Sequence, residues 1–263
     1  MYKKIYLRIY SEFFLPSRLN EYREILLLAL KLRYEINSVC SFWEKVKAGL
    51  NKNLQYLILR HDIDTDVCTA KKFFEIECDL QVKASYYFRL FTTNVSFMQE
   101  IERKMGEASY HYEELATFAK ERRLKTKEAV HAHMQEIKER FASNLVNLRK
   151  KTGLPMKTVA SHGDFVNRFL GITNCEILKD IVFRNSLGID LEVYDSQMMS
   201  VVTSRHSDTA YPRFWIPTFP QDALNKRERV VYILTHPRHW QANIRENLKD
   251  DFARMVEGCK YYR

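Results

Sequence analysis

Apolar and polar positions along this chain follow two periods, and the switches between them mark out the elements. Segments rich in β-branched and aromatic residues predict strands at Tyr2–Tyr10, Tyr34–Val39, Gln55–Ile63, Ala84–Leu90, Ala108–Glu113, Lys157–Ser161 and Arg229–Leu234. Helical spacing predicts helices between them. One starts near Ser17 or Asn20 and runs to about Lys31, and others cover Phe42–Leu50, Asp66–Cys78 and Phe97–Lys104. A further helix starts near Glu114. The longest, capped by Thr126, carries the stripe Val130, Met134, Ile137, Phe141, Leu145 and Leu148, until Gly153 and Pro155 end it. His131 and His133 lie off that stripe and read as surface residues. Ile177–Phe183 looks helical, and a last helix runs from Ile244 to about Glu257, where Gly258 can stop it. Residues 187–220 follow neither period clearly.

Strands alternating with helices, with no linker or repeat, predict one α/β domain over residues 1–263 with roughly six to eight strands. The composition, 46% hydrophobic and 29% charged, supports a sizeable core. The net charge of +9 is dispersed apart from a modest cluster at Lys120–Lys127. That is the pattern of a solvated surface, and no nucleic-acid motif accompanies it. Seven glycines in a chain this long argue against Gly-rich nucleotide loops, and neither GxGxxG nor a P-loop is present. Five scattered cysteines without a CxxC predict free thiols in a reducing compartment. Arg8 and Glu12 interrupt any signal-peptide core, and the longest apolar run, Ile25–Leu30, is too short to span a bilayer. A cytoplasmic location is the expectation.

The chemistry gathers around Leu57–Asp66, where an apolar run feeds into Arg60-His61-Asp62-Ile63-Asp64-Thr65-Asp66. A continuous apolar run fits a strand buried on both faces, and carboxylates at its C-terminal end stand where α/β folds keep active sites. The strand period sends Asp62 and Asp64 to one side and His61 and Ile63 to the other. Two adjacent acids repel unless a cation lies between them or one holds a proton. A plainer reading has Asp64 or Thr65 capping the next helix, which leaves the group of acids unexplained. Other strands also end in polar chemistry: His111 with Glu113, His162, and His236. A single histidine is more often structural. Four such strand ends together are the pattern of a βα barrel, and two imidazoles with a carboxylate suit a divalent metal with a position left for water.

These motifs, in order, carry a resemblance. Arg60-His61-Asp62-Ile63-Asp64, Ala84-Ser85-Tyr86-Tyr87-Phe88, Tyr110-His111-Tyr112-Glu113, Ser161-His162-Gly163 and Thr235-His236-Pro237 together resemble the polysaccharide deacetylase superfamily. This is the NodB-homology fold of carbohydrate esterase family four, here in a divergent short branch. The resemblance covers about residues 55–240 and implies a distorted βα barrel. It also implies metal-dependent removal of an acetyl group from an N-acetylated, sometimes O-acetylated, sugar. It makes Asp62 the general base, Asp64 and His111 metal ligands, and His236 the acid that protonates the leaving group. The metal is Zn²⁺ by first expectation, with Co²⁺, Ni²⁺ or Mn²⁺ as alternatives. A weaker match is His206-Ser207-Asp208 followed by Trp215, which would orient a catalytic residue and wall the acetyl pocket. Two departures stand out. The second histidine of the family's metal motif falls on Leu115, so another residue must complete the site, His162 first and Glu113 second. The family's Arg-containing third motif is not recognisable.

The expected substrate is an acetylated sugar or glycan precursor. Tyr86, Trp215 and Trp240 read equally as sugar-stacking or as core residues. Two other readings remain open. One is a catalytically degenerate barrel serving as a glycan- or protein-binding scaffold, for which Leu115 argues. The other is a non-haem iron oxygenase using a two-histidine, one-carboxylate site.

Overall fold

The computed structural model describes residues 2–104 and 106–263. The chain opens with α1 (Tyr2–Ile9), α2 (Leu19–Lys31), β1 (Glu35–Asn37), α3 (Val39–Ala48), β2 (Tyr56–Ile63), α4 (Val67–Leu80) and β3 (Ser85–Phe88). It continues through α5 (Val95–Lys104), β4 (Glu107–Tyr112), α6 (Glu114–Arg122), α7 (Lys127–Ala132), α8 (Met134–Thr152), β5 (Thr158–Ser161) and α9 (Phe165–Leu170). It ends with α10 (Ile181–Ser186), β6 (Leu191–Glu192), α11 (Ser196–Met199), β7 (Ser204–Asp208), β8 (Trp215–Ile216), α12 (Pro220–Asn225), β9 (Val230–Thr235) and α13 (Ile244–Tyr262).

All eight residues of β2 are buried, because it lies in the middle of the sheet. The strand order is β6-β5-β4-β3-β2-β9-β7-β8, parallel throughout except for the β7–β8 pair. β1 and β3 share one edge of β2, with β1 on its first half (Glu35 opposite Tyr56) and β3 on its second (Arg60 opposite Ser85). The sheet curls into a half-barrel, in keeping with the distorted α/β barrel expected from the sequence.

Two cores lie on its two faces. Leu57, Leu59 and Ile63 of β2 join Tyr86, Tyr110, Val159 and Ile233 against the helices. Tyr56 and Ile58 join Tyr87, Ala160, Tyr232 and Leu234 on the concave side. Both faces are covered, which is why the strand reads as a continuous apolar run. The same alternation sends His61 outward. There its Nε2 lies 2.7 Å from Glu77 Oε1 and its Nδ1 2.6 Å from Thr235 Oγ1, while Tyr22 donates to Glu77 at 2.5 Å. His61 therefore ties β2 to α2, α4 and β9. Arg60 and Asp62 point inward.

The structure corrects several expectations. Tyr2–Tyr10, read as a strand, is helix α1 running into a π-turn at Tyr10–Phe14. Helical spacing brings Arg8 and Glu12 to one side, where Arg8 meets Asp251 at 3.0 Å and Glu12 meets Arg238 at 2.5 Å. These contacts override the strand preference of the aromatic residues. Thr126 caps α7, and the chain leaves helical geometry at His133 (φ −106°) before α8 resumes the same buried stripe. Ile177–Phe183 divides into a 3₁₀ turn at Asn174–Leu178 and α10. Gly258 does not stop α13, which continues to Tyr262. The α4 cap is Asp66 rather than Asp64 or Thr65: its carboxylate accepts from the Thr69 amide at 3.1 Å. Asp66 sits at φ +53°, a left-handed turn that aspartate tolerates and that ends β2 abruptly. Among the described residues, no helix is long and apolar enough to cross a membrane.

Candidate metal centre and active site

Parallel strands have a common C-terminal end, and the site is built there. Asp64 follows β2, His111 lies near the end of β4, and His162 and His236 each follow the last residue of β5 and β9. His111 Nε2 stands 3.2 Å from Asp64 Oδ1 and 3.4 Å from Asp62 Oδ2, and His162 Nε2 stands 3.5 Å from Asp64 Oδ1. Asp64, His111 and His162 thus each offer one ligand atom to a common point.

The groups behind the rings show which nitrogens face inward. His111 Nδ1 lies 3.0 Å from the Ala160 carbonyl, which can only accept, so this nitrogen carries the proton. His162 Nδ1 faces Glu113 Oε2 at 3.2 Å, and Glu113 is itself held by the Arg89 guanidinium at 2.6–3.0 Å. Metal-binding histidines are typically backed in this way. With Nδ1 turned to the Ala160 carbonyl, His111 aims Nε2 at Asp64 Oδ1, an arrangement that either a proton on Nε2 or a cation between the two atoms satisfies. Asp64 Oδ1 is buried and has no hydrogen-bond partner. Ligands at about 2.0–2.1 Å in a tetrahedral site stand roughly 3.3–3.4 Å apart. The observed 3.2 and 3.5 Å separations match that spacing, so the donor set fits a divalent cation. Burial pushes the Asp64 carboxyl up, but the adjacent His162 and His111 outweigh it and hold the group well below the usual range.

Glu113, His162 and Asp164 form a second candidate group. Its acids already have partners, however. Asp164 caps α9 through the Val166 amide at 2.8 Å and pairs with Lys120 at 2.9 Å, while Glu113 is gripped by Arg89. Glu113, the second choice for a ligand on sequence grounds, therefore stands behind His162. Leu115 lies fully buried in the outer core.

Asp62 is clamped by Arg60, whose Nε and Nη2 donate to its two oxygens at 2.7 Å each. Burial raises the Asp62 carboxyl, but Arg60 and then His111 overcome this and leave it lowered. The repulsion between Asp62 and Asp64 is thus relieved by Arg60 on one side and His111 between them. The clamp escaped sequence reasoning, although i, i+2 spacing on a strand places Arg60 and Asp62 on one face.

His236 and Asp64 line a cleft of about 380 Å³, together with Arg8 of α1 and Asp251 and Arg254 of α13. Asp208, at the end of β7, accepts from the His236 amide at 2.7 Å, faces its Nδ1 at 2.6 Å, and accepts from Trp240 Nε1 at 2.7 Å. Burial alone would lower the His236 pKa, but Asp208 pushes it up to about 9, so the imidazole is charged at neutral pH. Asp208 thus orients His236. His239 Nδ1 also approaches Asp208, at 3.3 Å. The neighbouring motif residues are structural. His206 Nδ1 lies 2.8 Å from the Thr218 carbonyl, and Trp215 is buried edge-on to Trp240 at 5.7 Å. Tyr86 is buried and donates to Glu77 at 2.6 Å. None of Tyr86, Trp215 or Trp240 is free to stack on a sugar.

No family model matches the chain, and no match was found among curated proteins.

Proposed function

We propose that this protein is a metal-dependent hydrolase that removes an acetyl group from an N-acetylated sugar or glycan precursor. The observation that carries the reading is the convergence of Asp64 Oδ1, His111 Nε2 and His162 Nε2 beside an Arg60-clamped Asp62 and an Asp208-held His236. Asp64, His111 and His162 would hold the cation, Zn²⁺ by preference or Co²⁺, Ni²⁺ or Mn²⁺. When bound, it supplies Lewis acidity toward the acetyl carbonyl and toward water.

The chain's own groups supply the proton transfers. Asp62, kept ionised and oriented by Arg60, accepts the proton of the attacking water. His236, charged through Asp208, donates its proton to the departing nitrogen, and the products are acetate and the free amine. The two shifts keep Asp62 in its ionised form and His236 in its proton-bearing form, the states these two roles start from.

A second reading is supported by the Asp62 clamp itself, since both carboxylate oxygens are engaged by Arg60 and the pKa is lowered. It is that of a degenerate barrel binding a glycan or a protein. Elemental analysis joined to an acetate-release assay on N-acetylated sugars separates the readings. Stoichiometric zinc, cobalt, nickel or manganese with acetate release supports the hydrolase. Iron with O₂ consumption points to an oxygenase, and metal-free protein after reconstitution points to the scaffold.

A further inference from the structure

Among the described residues, one face of helix α13 has no protein partner. Ile244, Leu248, Phe252, Met255 and Tyr262 are 53%, 55%, 65%, 58% and 60% exposed. Their helical spacing gathers them into one narrow stripe, while Asn247, Asp250 and Tyr261 of the same helix are buried on another side. Tyr6, Ile9 and Phe14 are exposed on α1 and the turn after it. This segment is joined to α13 by the Arg8–Asp251 pair and by Asn247, which donates to the Glu12 carbonyl at 2.6 Å. Single exposed apolar residues need no explanation, but a contiguous stripe of this length marks a contact surface.

Charge identifies what covers it. The acids of α13 are largely engaged elsewhere: Asp250 by Arg238 and Arg254, Asp251 by Arg238 and Arg8, and Glu257 by Lys120. Arg245, Lys249 and Lys260 remain exposed, and none has an ion-pair partner among the described residues. A second copy of the chain would set the same cations against these, whereas an anionic headgroup layer neutralises them. Aromatic rings beside basic side chains on an amphipathic helix are the chemistry of the lipid interface.

We propose that α13, together with α1, seats the protein on an anionic lipid surface, with the stripe inserted and Arg245, Lys249 and Lys260 at headgroup level. Asp251 and Arg254 of the same helix line the cleft, and Asp251 is the i+3 neighbour of Leu248 and the i−4 neighbour of Met255. The cleft therefore borders the lipid-facing stripe. The docking does not depend on the hydrolase reading.

The test is co-sedimentation of the full chain with vesicles of phosphatidylcholine alone and of phosphatidylcholine mixed with phosphatidylserine. Binding to the anionic vesicles is expected, weakened at least about tenfold by Leu248→Glu with Phe252→Glu and weakened by raised salt. Circular dichroism of the double variant should match wild type, since both positions are exposed. Failure of the wild type to bind anionic vesicles would overturn the proposal, as would unchanged binding by the double variant. A wild-type dimer that the double variant disperses would assign the stripe to a second copy and overturn it equally.

Discussion

Asp64 Oδ1 and His111 Nε2 face each other at 3.2 Å, while His111 Nδ1 is committed to the Ala160 carbonyl. With that nitrogen turned to the carbonyl, Nε2 is left facing the carboxylate, and a divalent cation between the two atoms would satisfy both. Wild-type protein should bind about one divalent ion per chain, and Asp64→Ala, His111→Ala and His162→Ala should each abolish it. Glu113→Gln should retain the site but weaken affinity about 10–100-fold, because it supports His162 rather than binding the ion. Competition with a chelator of known affinity measures both effects.

Removing one partner of the Arg60–Asp62 clamp strands a buried charge. Arg60→Met should destabilise the fold by about 3–5 kcal/mol in urea unfolding. Arg60→Met combined with Asp62→Leu should recover most of that loss, since neither charge then remains.

Asp62→Asn keeps the shape of the side chain and removes its basicity. On the hydrolase reading, acetate release should fall by about 10²–10⁴-fold with metal content unchanged. Wild-type activity in this variant would remove Asp62 from the mechanism.

The His236 pKa of about 9 lies above its ordinary value of 6.5. Its pairing with Asp208 therefore contributes stability that is complete below about pH 6.5 and is lost as the pH rises through about 9. The Asp208 carboxyl is lowered, despite the burial that would raise it, by the His239 and His236 charges. Its contribution is present above its ordinary value of 3.8 and fades as the pH falls through the lowered one. Because the acid must be protonated to act, the alkaline limb of the rate profile should lie near pH 9 and shift toward 6.5 in Asp208→Asn. A rate–pH series on the two proteins measures the shift.

Leu115 stands where the resemblance drawn from the sequence would place a metal-binding histidine, and a histidine there would supply no ligand. Leu115 is fully buried among apolar side chains of the outer core. Leu115→His should destabilise the protein by about 1–3 kcal/mol and leave the metal stoichiometry unchanged. Thermal unfolding and elemental analysis check the two halves.

Much of this arrangement was legible in local pattern. The apolar run before Asp62, the two-residue strand period and the polar strand ends located β2, β4, β5 and β9 and the residues that line their C-terminal ends. Strand and helix periods are properties of short segments, so the sequence by itself determined the alternating α/β order and the candidates Asp62, Asp64, His111, His162 and His236. It misread Tyr2–Tyr10, whose helix is held by the partners of Arg8 and Glu12 more than 200 residues away. Only the tertiary structure shows His162 Nε2 turned to Asp64 and Glu113 gripped by Arg89, which favours His162 over Glu113. That choice depends on which atom faces Asp64 and which is gripped by Arg89, and spacing along the chain carries no such information. The same holds for Arg60 at Asp62 and Asp208 at His236. Their effect comes from distances of 2.6–2.7 Å among largely buried side chains, where position in space, rather than in sequence, sets the charge.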